Sequence, residues 1–433
     1  MLVPEMRRAW RAWTAPSLRR LPTPREQTDD QIRERLATLL LENILPFWVT
    51  QTVDRAGGFL QNHDVQGRWK GPCSKHVVGQ ARQTWFFSRL ARSKYGTAEH
   101  HRLARHGFEF LQGMWDRDHG GFFWEVDETG RLPTMPCKHL YGQAFGLYAL
   151  SEYAAVTRDG SALSLADALF DILERHAHDD ASGGYLQFFL RDWSSPPPEA
   201  RSYRDDLGPT DKTLDTHLHL LEALAAYCRA RKDPTAARRL AELVLILAST
   251  VVHRPSGAGT NFYTRDWTPF PTPTHERVTY GHDAETVWLL ADATGALGWS
   301  PALSRSFGRA TLTHALEYGF DRRRGGLYLM GYPQVPADRR EKVWWVQAEA
   351  LVATLWMHQQ TRDARYRAYF ERTLDWVWEH QADWSHGDWH MIVDPRGRPF
   401  GDKAQAFKTP YHNGRAILTC LDLLEGAGFG PSS

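Results

Sequence analysis

Three things are scarce in this chain. Only 4 cysteines occur in 433 residues, Cys73, Cys137, Cys228 and Cys420, and none stands in a CxxC spacing. Thiols scattered in this way exclude a zinc ribbon and a disulfide framework and read as reduced and structural. Net charge is scarce too, with 52 Lys+Arg against 51 Asp+Glu and a formal charge of +1. Duplex binding needs a clustered basic surface, so nucleic acid is not the expected partner and a small neutral ligand is. Nothing approaches the ~20 apolar residues of a membrane span, which sets membranes aside and points to the cytoplasm. Residues 1–28 carry Arg7, Arg8, Arg11, Arg19, Arg20 and Arg25 among prolines, without the apolar core of a signal peptide. They read as a mobile basic extension, although an acid-poor start also suits an organellar transit peptide.

Against these shortages stand 18 Trp and 20 His. The Gly-centred turns are as telling. They recur at Gly57-Gly58-Phe59, Gly120-Gly121-Phe122, Gly183-Gly184-Tyr185, Gly257 to Phe262, Gly325-Gly326-Leu327 and Gly387-Asp388-Trp389. Their period of about 62 to 74 residues marks a repeat architecture. The stretch Asp116 to Gly130 reads as two short strands with turn residues at each end, a hairpin. Its Asp116-x-Asp118-x-Gly120 faintly resembles a calcium loop but lacks the terminal Glu spacing, so it reads as a plain turn.

Between turns lie pairs of segments with helical periodicity: 75–95 with 97–115, 138–157 with 161–178, 210–231 with 234–253, 280–296 with 302–318, and 342–361 with 365–382. Segments 30–50 and 410–425 complete twelve. Six αα-hairpins, each with an uncovered apolar face, bury it by closing into a ring, so the expected fold is all-α: an (α/α)6 toroid spanning residues 29–433, with short β-hairpins in its loops. An open solenoid is the rival. The helix after each Gly turn carries the unusual residues, Arg82, Tyr141 and Gln143, His219, His282, Trp344 and Trp345, and His412. If those helices form the inner ring, the residues converge at one mouth and build a pocket.

His219 stands three residues before Glu222, and His282 three before Glu285, a spacing that shares one helix face. Each Glu can therefore orient its His, while His217 points elsewhere. A single His-x-x-Glu is usually a hydrogen-bonded core histidine; its recurrence on equivalent helices favours function. His412 follows Pro410 in the first turn of a helix, and His282 lies early in its own. The positive end of the helix dipole disfavours imidazolium, so both rings are expected to be neutral and able to take a proton. Two such imidazoles suit removal and return of a proton next to a carbonyl, with Arg82 available for the enediolate; a buried structural ion pair is the other reading of Arg82. Metal is not expected. The order is His-x-x-Glu, no further inner carboxylates recur at matching positions, and His217 faces away. Trp344 and Trp345 are adjacent at the start of an inner helix, with Phe407 and Tyr141 at comparable levels, and flat aromatic walls suit the C–H faces of sugars. Of the adjacent pair, one is expected to face in and one to pack.

Gln80-Ala-Arg82, Tyr141-Gly-Gln-Ala-Phe145, Thr216-His-Leu-His219, Tyr280-Gly-His-Asp283, Trp344-Trp-Val-Gln-Ala-Glu349 and Pro410-Tyr-His-Asn413 together resemble the N-acylglucosamine 2-epimerase superfamily, and its cellobiose 2-epimerase branch most of all. The likeness runs in order from about residue 30 to residue 425. It implies an (α/α)6 barrel that epimerises C2 of an aldose, without a redox cofactor, through ring opening and a cis-enediolate. It places acid/base catalysis on His282 and His412, with His219 as the third histidine near the reacting carbons. Arg82 and Tyr141 fall on substrate-binding positions, Glu222 and Glu285 on partners of the histidines, and Trp345 with Trp344 on the aromatics that hold the sugar. Phe407 and Asp215 depart from the branch, which usually has Trp and Asn there, so a monosaccharide epimerase or a mannose–fructose type isomerase is an alternative to disaccharide use. The remaining rivals are an (α/α)6 glycoside hydrolase or lyase and an inactive sugar-binding protein. A small sugar is the expected partner of a monomer or homodimer.

Overall fold

The computed structural model describes residues 18–21, 27–253 and 256–429. Most of the 1–28 extension lies outside those residues. The described part is packed: Leu18 and Leu21 are buried, and the Leu18 carbonyl accepts a hydrogen bond from Arg365 Nη1 at 2.6 Å.

Counting 29–50 as one helix, the described residues form twelve. Helix α1 runs through Asp29–Thr38, a π-helical turn Leu39–Ile44 and Leu45–Thr50. There follow α2 (Val77–Ala91), α3 (Ala98–Gly113), α4 (Leu140–Thr157), α5 (Gly160–His176), α6 (Leu214–Arg231), α7 (Pro234–Ile246), α8 (Tyr280–Ala296), α9 (Ala302–Tyr318), α10 (Trp344–Thr361), α11 (Ala364–Trp376) and α12 (Tyr411–Leu424). Each even-numbered helix packs on the next even one, and α12 returns to α2, so the ring closes and an open solenoid is excluded. Even-numbered helices are buried on nearly every side, with ring neighbours left and right and an odd-numbered helix behind. The odd-numbered helices bury one stripe, as amphipathic segments do. Caps mark their starts: Thr97, Asp159, Asp233 and Asp363 each accept a backbone N–H from the first turn.

The short strands tie consecutive repeats together. Lys75–His76 pairs with Glu125–Val126, Lys138–His139 with Phe188–Phe189, Lys212–Thr213 with Phe262–Tyr263, Val278–Thr279 with Met330–Gly331, and Lys342–Val343 with Ile392–Val393. Residues expected to begin the inner helices are thus strands. The expected hairpin is displaced as well: Trp115 bridges Phe122 around the Gly turn, and Glu125–Val126 folds back on Pro133–Met135.

Two buried devices repeat with the strands. Lys75, Lys138, Lys212, Lys342 and Lys403 each place Nζ on the aspartate that opens a Gly turn, Asp54, Asp116, Asp179, Asp321 and Asp383, at 2.5 to 3.0 Å. Asp116 is also held by Arg191, which makes its loop a pinned turn. Gln80, Gln143 and Gln347 clamp both backbone groups of Phe59, Phe122 and Leu327. Gln143, one of the unusual inner-ring residues, therefore braces a turn. His217 takes the same position in its repeat, accepting from the Tyr185 N–H at 3.0 Å and bonding the Thr213 carbonyl at 2.7 Å.

Candidate active site

Every inner helix begins at the same end of the ring, and its first two or three turns supply the singled-out residues. Arg82 comes from α2, Tyr141 from α4, Asp215, His219 and Glu222 from α6, His282 and Glu285 from α8, Trp344, Trp345 and Glu349 from α10, and His412 from α12. Closing the ring brings them together. Tyr141 lies 5.1 Å from His219 between ring centroids, His219 lies 6.4 Å from His412, and Trp345 lies 5.7 Å from His412 and 5.0 Å from His282.

Arg82 is buried among aromatics, 4.3 Å from the Phe145 centroid and 4.7 Å from that of Tyr411. It donates to the Tyr141 hydroxyl at 2.9 Å and to the Phe407 carbonyl at 2.6 Å, and has no carboxylate partner among the described residues. The structural ion pair considered for it is not formed with any described residue. Phe407 is half-buried beside His76 and Tyr141, at 5.2 and 6.2 Å. Of the two adjacent indoles, Trp345 is half-buried against the histidines, while Trp344 is buried, 6.2 Å from His412 and 5.5 Å from the Lys408 ammonium. One faces the site and one packs.

Beneath the histidines lies an ionic cluster that sequence reasoning only half foresaw. Glu222 accepts from Tyr411 and Arg415 and lies 3.4 Å from His219 Nδ1. Arg415 Nη2 donates to Glu285 and to Glu349, both at 2.8 Å, and Trp288 donates to Glu349 at 2.8 Å. His412 Nδ1 is 2.7 Å from Glu349 and 3.9 Å from Glu285. Glu285 therefore sits with Arg415 and His412 rather than with His282, because the ring turns its face toward α12. Glu349 is the inner carboxylate that periodicity failed to count: its partner is 63 residues away, beyond any local spacing rule. Glu285, Glu349 and His412 gather ligand atoms within 4.8 Å of one another, a geometry that could suit a cation. The Arg415 guanidinium holds both carboxylates and supplies that positive charge.

Burial governs the protonation of the site. It pushes His219 down to about 4 against the pull of Glu222, and pushes His412 well below the usual imidazole range, helped by Arg82 and Arg415. His282 is lowered by burial as well, opposed by Asp215. Burial would raise Glu222, but Arg415, His219 and Tyr411 outweigh it and bring the carboxyl to about 2. Glu285 is raised by burial and by Glu349 beside it. A carboxylate only accepts, so the bonds at Nδ1 put the proton there in His219 and His412 and leave Nε2 as the base. Among the described residues nothing hydrogen-bonds the His282 ring, which rests on Trp345.

Asp215 does not stand open to the pocket as a lone acid. Arg204 Nη2 donates to one of its oxygens, and the Thr216 N–H donates to the other at 2.8 Å. Arg204 itself lies 3.8 Å above the Tyr141 ring, and Trp124, His139 and Tyr203 meet one another nearby at tilted and edge-on angles. None of these four was singled out from sequence; Arg204 comes from a polar loop with no periodicity to mark it.

The described helices thus close into an (α/α)6 ring whose mouth is lined by His219, His282 and His412. The sequence profile of the N-acylglucosamine 2-epimerase (GlcNAc 2-epimerase) family matches residues 57–416, and the chain belongs to that family. A cellobiose 2-epimerase of Bacteroides fragilis is 29% identical over 406 residues, covering 92% of this chain and 99% of its own. A D-mannose isomerase of Marinomonas mediterranea is 24% identical over 401 residues, covering 89% of this chain and 96% of its own. The solved cellobiose 2-epimerase of Spirochaeta thermophila superposes with a TM-score of 0.82 at 32% identity, over 94% of this chain and 99% of that one. No helix among the described residues is long and apolar enough to cross a membrane.

Proposed function

We propose that this protein interconverts the gluco and manno configurations at C2 of an aldose, through ring opening and a cis-enediolate, with no redox cofactor or metal. The observation that carries the reading is the placement of His282 and His412 against one indole, Trp345, both with imidazoles that burial disposes to be neutral. In the open-chain sugar one imidazole takes the C2 proton as the C1 carbonyl becomes an enediolate. The other, once it has taken a proton from solvent, delivers it to the opposite face of C2, the carbonyl re-forms, and the first imidazole gives its proton up to solvent. Arg82, with Tyr141, offers a positive charge to the enediolate oxygens. Glu349 orients His412, and His219 on Glu222 assists at the carbonyl end. Trp345 holds the sugar face.

An aldose–ketose isomerisation, with the proton returned to C1, is the second reading, favoured by the likeness to D-mannose isomerase. A glycoside hydrolase needs two carboxyl groups astride the scissile bond; here Glu222, Glu285 and Glu349 are all engaged by Arg415 behind the histidines. A sugar-binding protein would turn nothing over. The test is incubation with mannose, glucose, cellobiose and lactose in deuterated water, followed by NMR. The expected product is the C2 epimer carrying solvent deuterium at C2. Epimerisation without exchange would refute proton transfer, ketose as the main product would establish the isomerase, and no turnover on any aldose would remove the enzyme reading. His282→Ala and His412→Ala are expected to abolish turnover while sugar binding persists.

A further inference from the structure

We infer that Phe429 is a positioning residue for the proposed reaction: stacked on Trp288 at the end of the ring opposite the inner-helix starts, it holds the indole that turns Glu349 toward His412. The inference rests on the epimerase reading and extends it to a part of the chain remote from the sugar. Phe429 stacks on Trp288 with ring centroids 5.7 Å apart and planes 24° from parallel. Trp288 Nε1 donates to Glu349 Oε2 at 2.8 Å. The other oxygen, Oε1, meets His412 Nδ1 at 2.7 Å and accepts from Arg415 at 2.8 Å. A glutamate carboxylate turns easily about its last bond, so Oε1 keeps its aim at His412 only while Oε2 is held as well. The indole N–H holds it, and a hydrogen bond weakens steeply as its angle departs from linearity. The tilt of Trp288 therefore sets the direction of Glu349.

That tilt needs support, because Trp288 and Arg415 line a cavity of about 800 Å³ to which the last turns of the inner helices contribute, Arg229 of α6 and Asp292 of α8 among them. A side chain beside open space lacks packing contacts on that side. Phe429 lines the same cavity and supplies them. The Arg415 guanidinium lies 4.6 Å from the Trp288 centroid, so a shift of the indole would also loosen the cation that the glutamates share. The segment that carries Phe429 is anchored. Helix α12 ends at Leu424, Gly426 reverses the chain with φ 86°, and the Ala427 N–H closes the turn on the Asp422 carbonyl at 2.9 Å. Gln359 of α10 donates to the Leu423 carbonyl at 2.6 Å, and the Phe429 ring also meets that of Trp356, 6.4 Å between centroids.

The test is steady-state kinetics on whichever of mannose, glucose, cellobiose and lactose is turned over fastest. It compares wild type, Phe429→Ala, Phe429→Tyr, Trp288→Phe and the Trp288→Phe/Phe429→Ala pair. Phe429→Ala is expected to lower kcat roughly tenfold with KM little changed, since the sugar binds at the other mouth. Phe429→Tyr keeps the flat ring and should retain the kcat of wild type. Trp288→Phe removes the indole donor, so Phe429→Ala should lower kcat no further in that background. If Phe429→Ala does not fold, Phe429→Leu, which fills the space without a flat face, reads the same split. An unaltered kcat in Phe429→Ala, an equal fall in Phe429→Tyr, or additive falls in the pair would overturn the proposal while leaving the epimerase reading intact. Absence of turnover on any of the four sugars in wild type would overturn both.

Discussion

His412 Nδ1 lies 2.7 Å from an oxygen of Glu349, and the same oxygen receives a second hydrogen bond, at 2.8 Å, from Arg415. One atom thus ties an imidazole at the mouth to the guanidinium that three buried glutamates share. Glu349→Gln removes the carboxylate charge, and its amide can meet His412 Nδ1 with an N–H as well as with an oxygen, so the tautomer is no longer fixed. A fall in kcat of about 10²-fold or more is expected, with KM little changed. Steady-state kinetics check this; unaltered kcat would mean that His412 works without Glu349.

Arg415→Met leaves Glu222, Glu285 and Glu349 buried without a counter-charge. Breaking a buried ionic cluster in this way costs about 3–5 kcal/mol, so the variant should unfold at markedly lower urea. A midpoint within experimental error of wild type would refute the assignment of Arg415 as the keystone of the cluster.

The adjacent indoles should separate binding from stability. Trp345→Ala is expected to raise KM for the sugar with little change in the urea midpoint, since its ring is half-buried at the site. Trp344→Ala empties a packed position and should cost about 3–5 kcal/mol. The two variants, compared by kinetics and urea titration, should show opposite patterns.

His217→Gln should be tolerated, because Gln80, Gln143 and Gln347 already accept from the backbone N–H at the same place in three other repeats. At pH 7 to 8 stability should stay within about 1 kcal/mol of wild type. Acid should reveal a difference. Burial lowers His217 to about 4, below the ordinary value near 6.5 that it takes when unfolded. The unfolded chain then binds the extra proton between those values, so the stability that neutral His217 supports is present above about pH 6.5 and is lost as pH falls toward 4. The variant should therefore gain on wild type in melting temperature across that window. Glu285 and Glu349, raised by burial, act in the opposite sense but cancel in the comparison.

Much of this molecule was legible in one dimension. Gly turns and helical periodicity give twelve helices in six pairs, and the inner set can be told from the outer because each of its helices follows a Gly turn, while the outer helices show amphipathic stripes. The pairing of His219 with Glu222 was legible for the same reason: residues three apart on a helix are neighbours by geometry. Where that rule was extended to His282 and Glu285 it failed, since a shared face brings two side chains near without making them partners. Trp344 and Trp345 could be divided into one inward and one packed residue, though only the burial of each shows which is which.

What lay beyond the sequence is everything that crosses the ring. The bond between Glu349 and His412, the grip of Arg415 on three glutamates, and the clamp of Arg204 on Asp215 over Tyr141 join different helices or reach in from a loop, and no periodicity records them. Local pattern sets which face of each helix is buried, because burial of an apolar stripe is a property of single helices. Which polar groups meet inside depends on how far each helix is rotated when the sixth pair closes on the first. Among buried side chains, the cost of leaving any charge unpaired makes that rotation settle both the partners and their protonation.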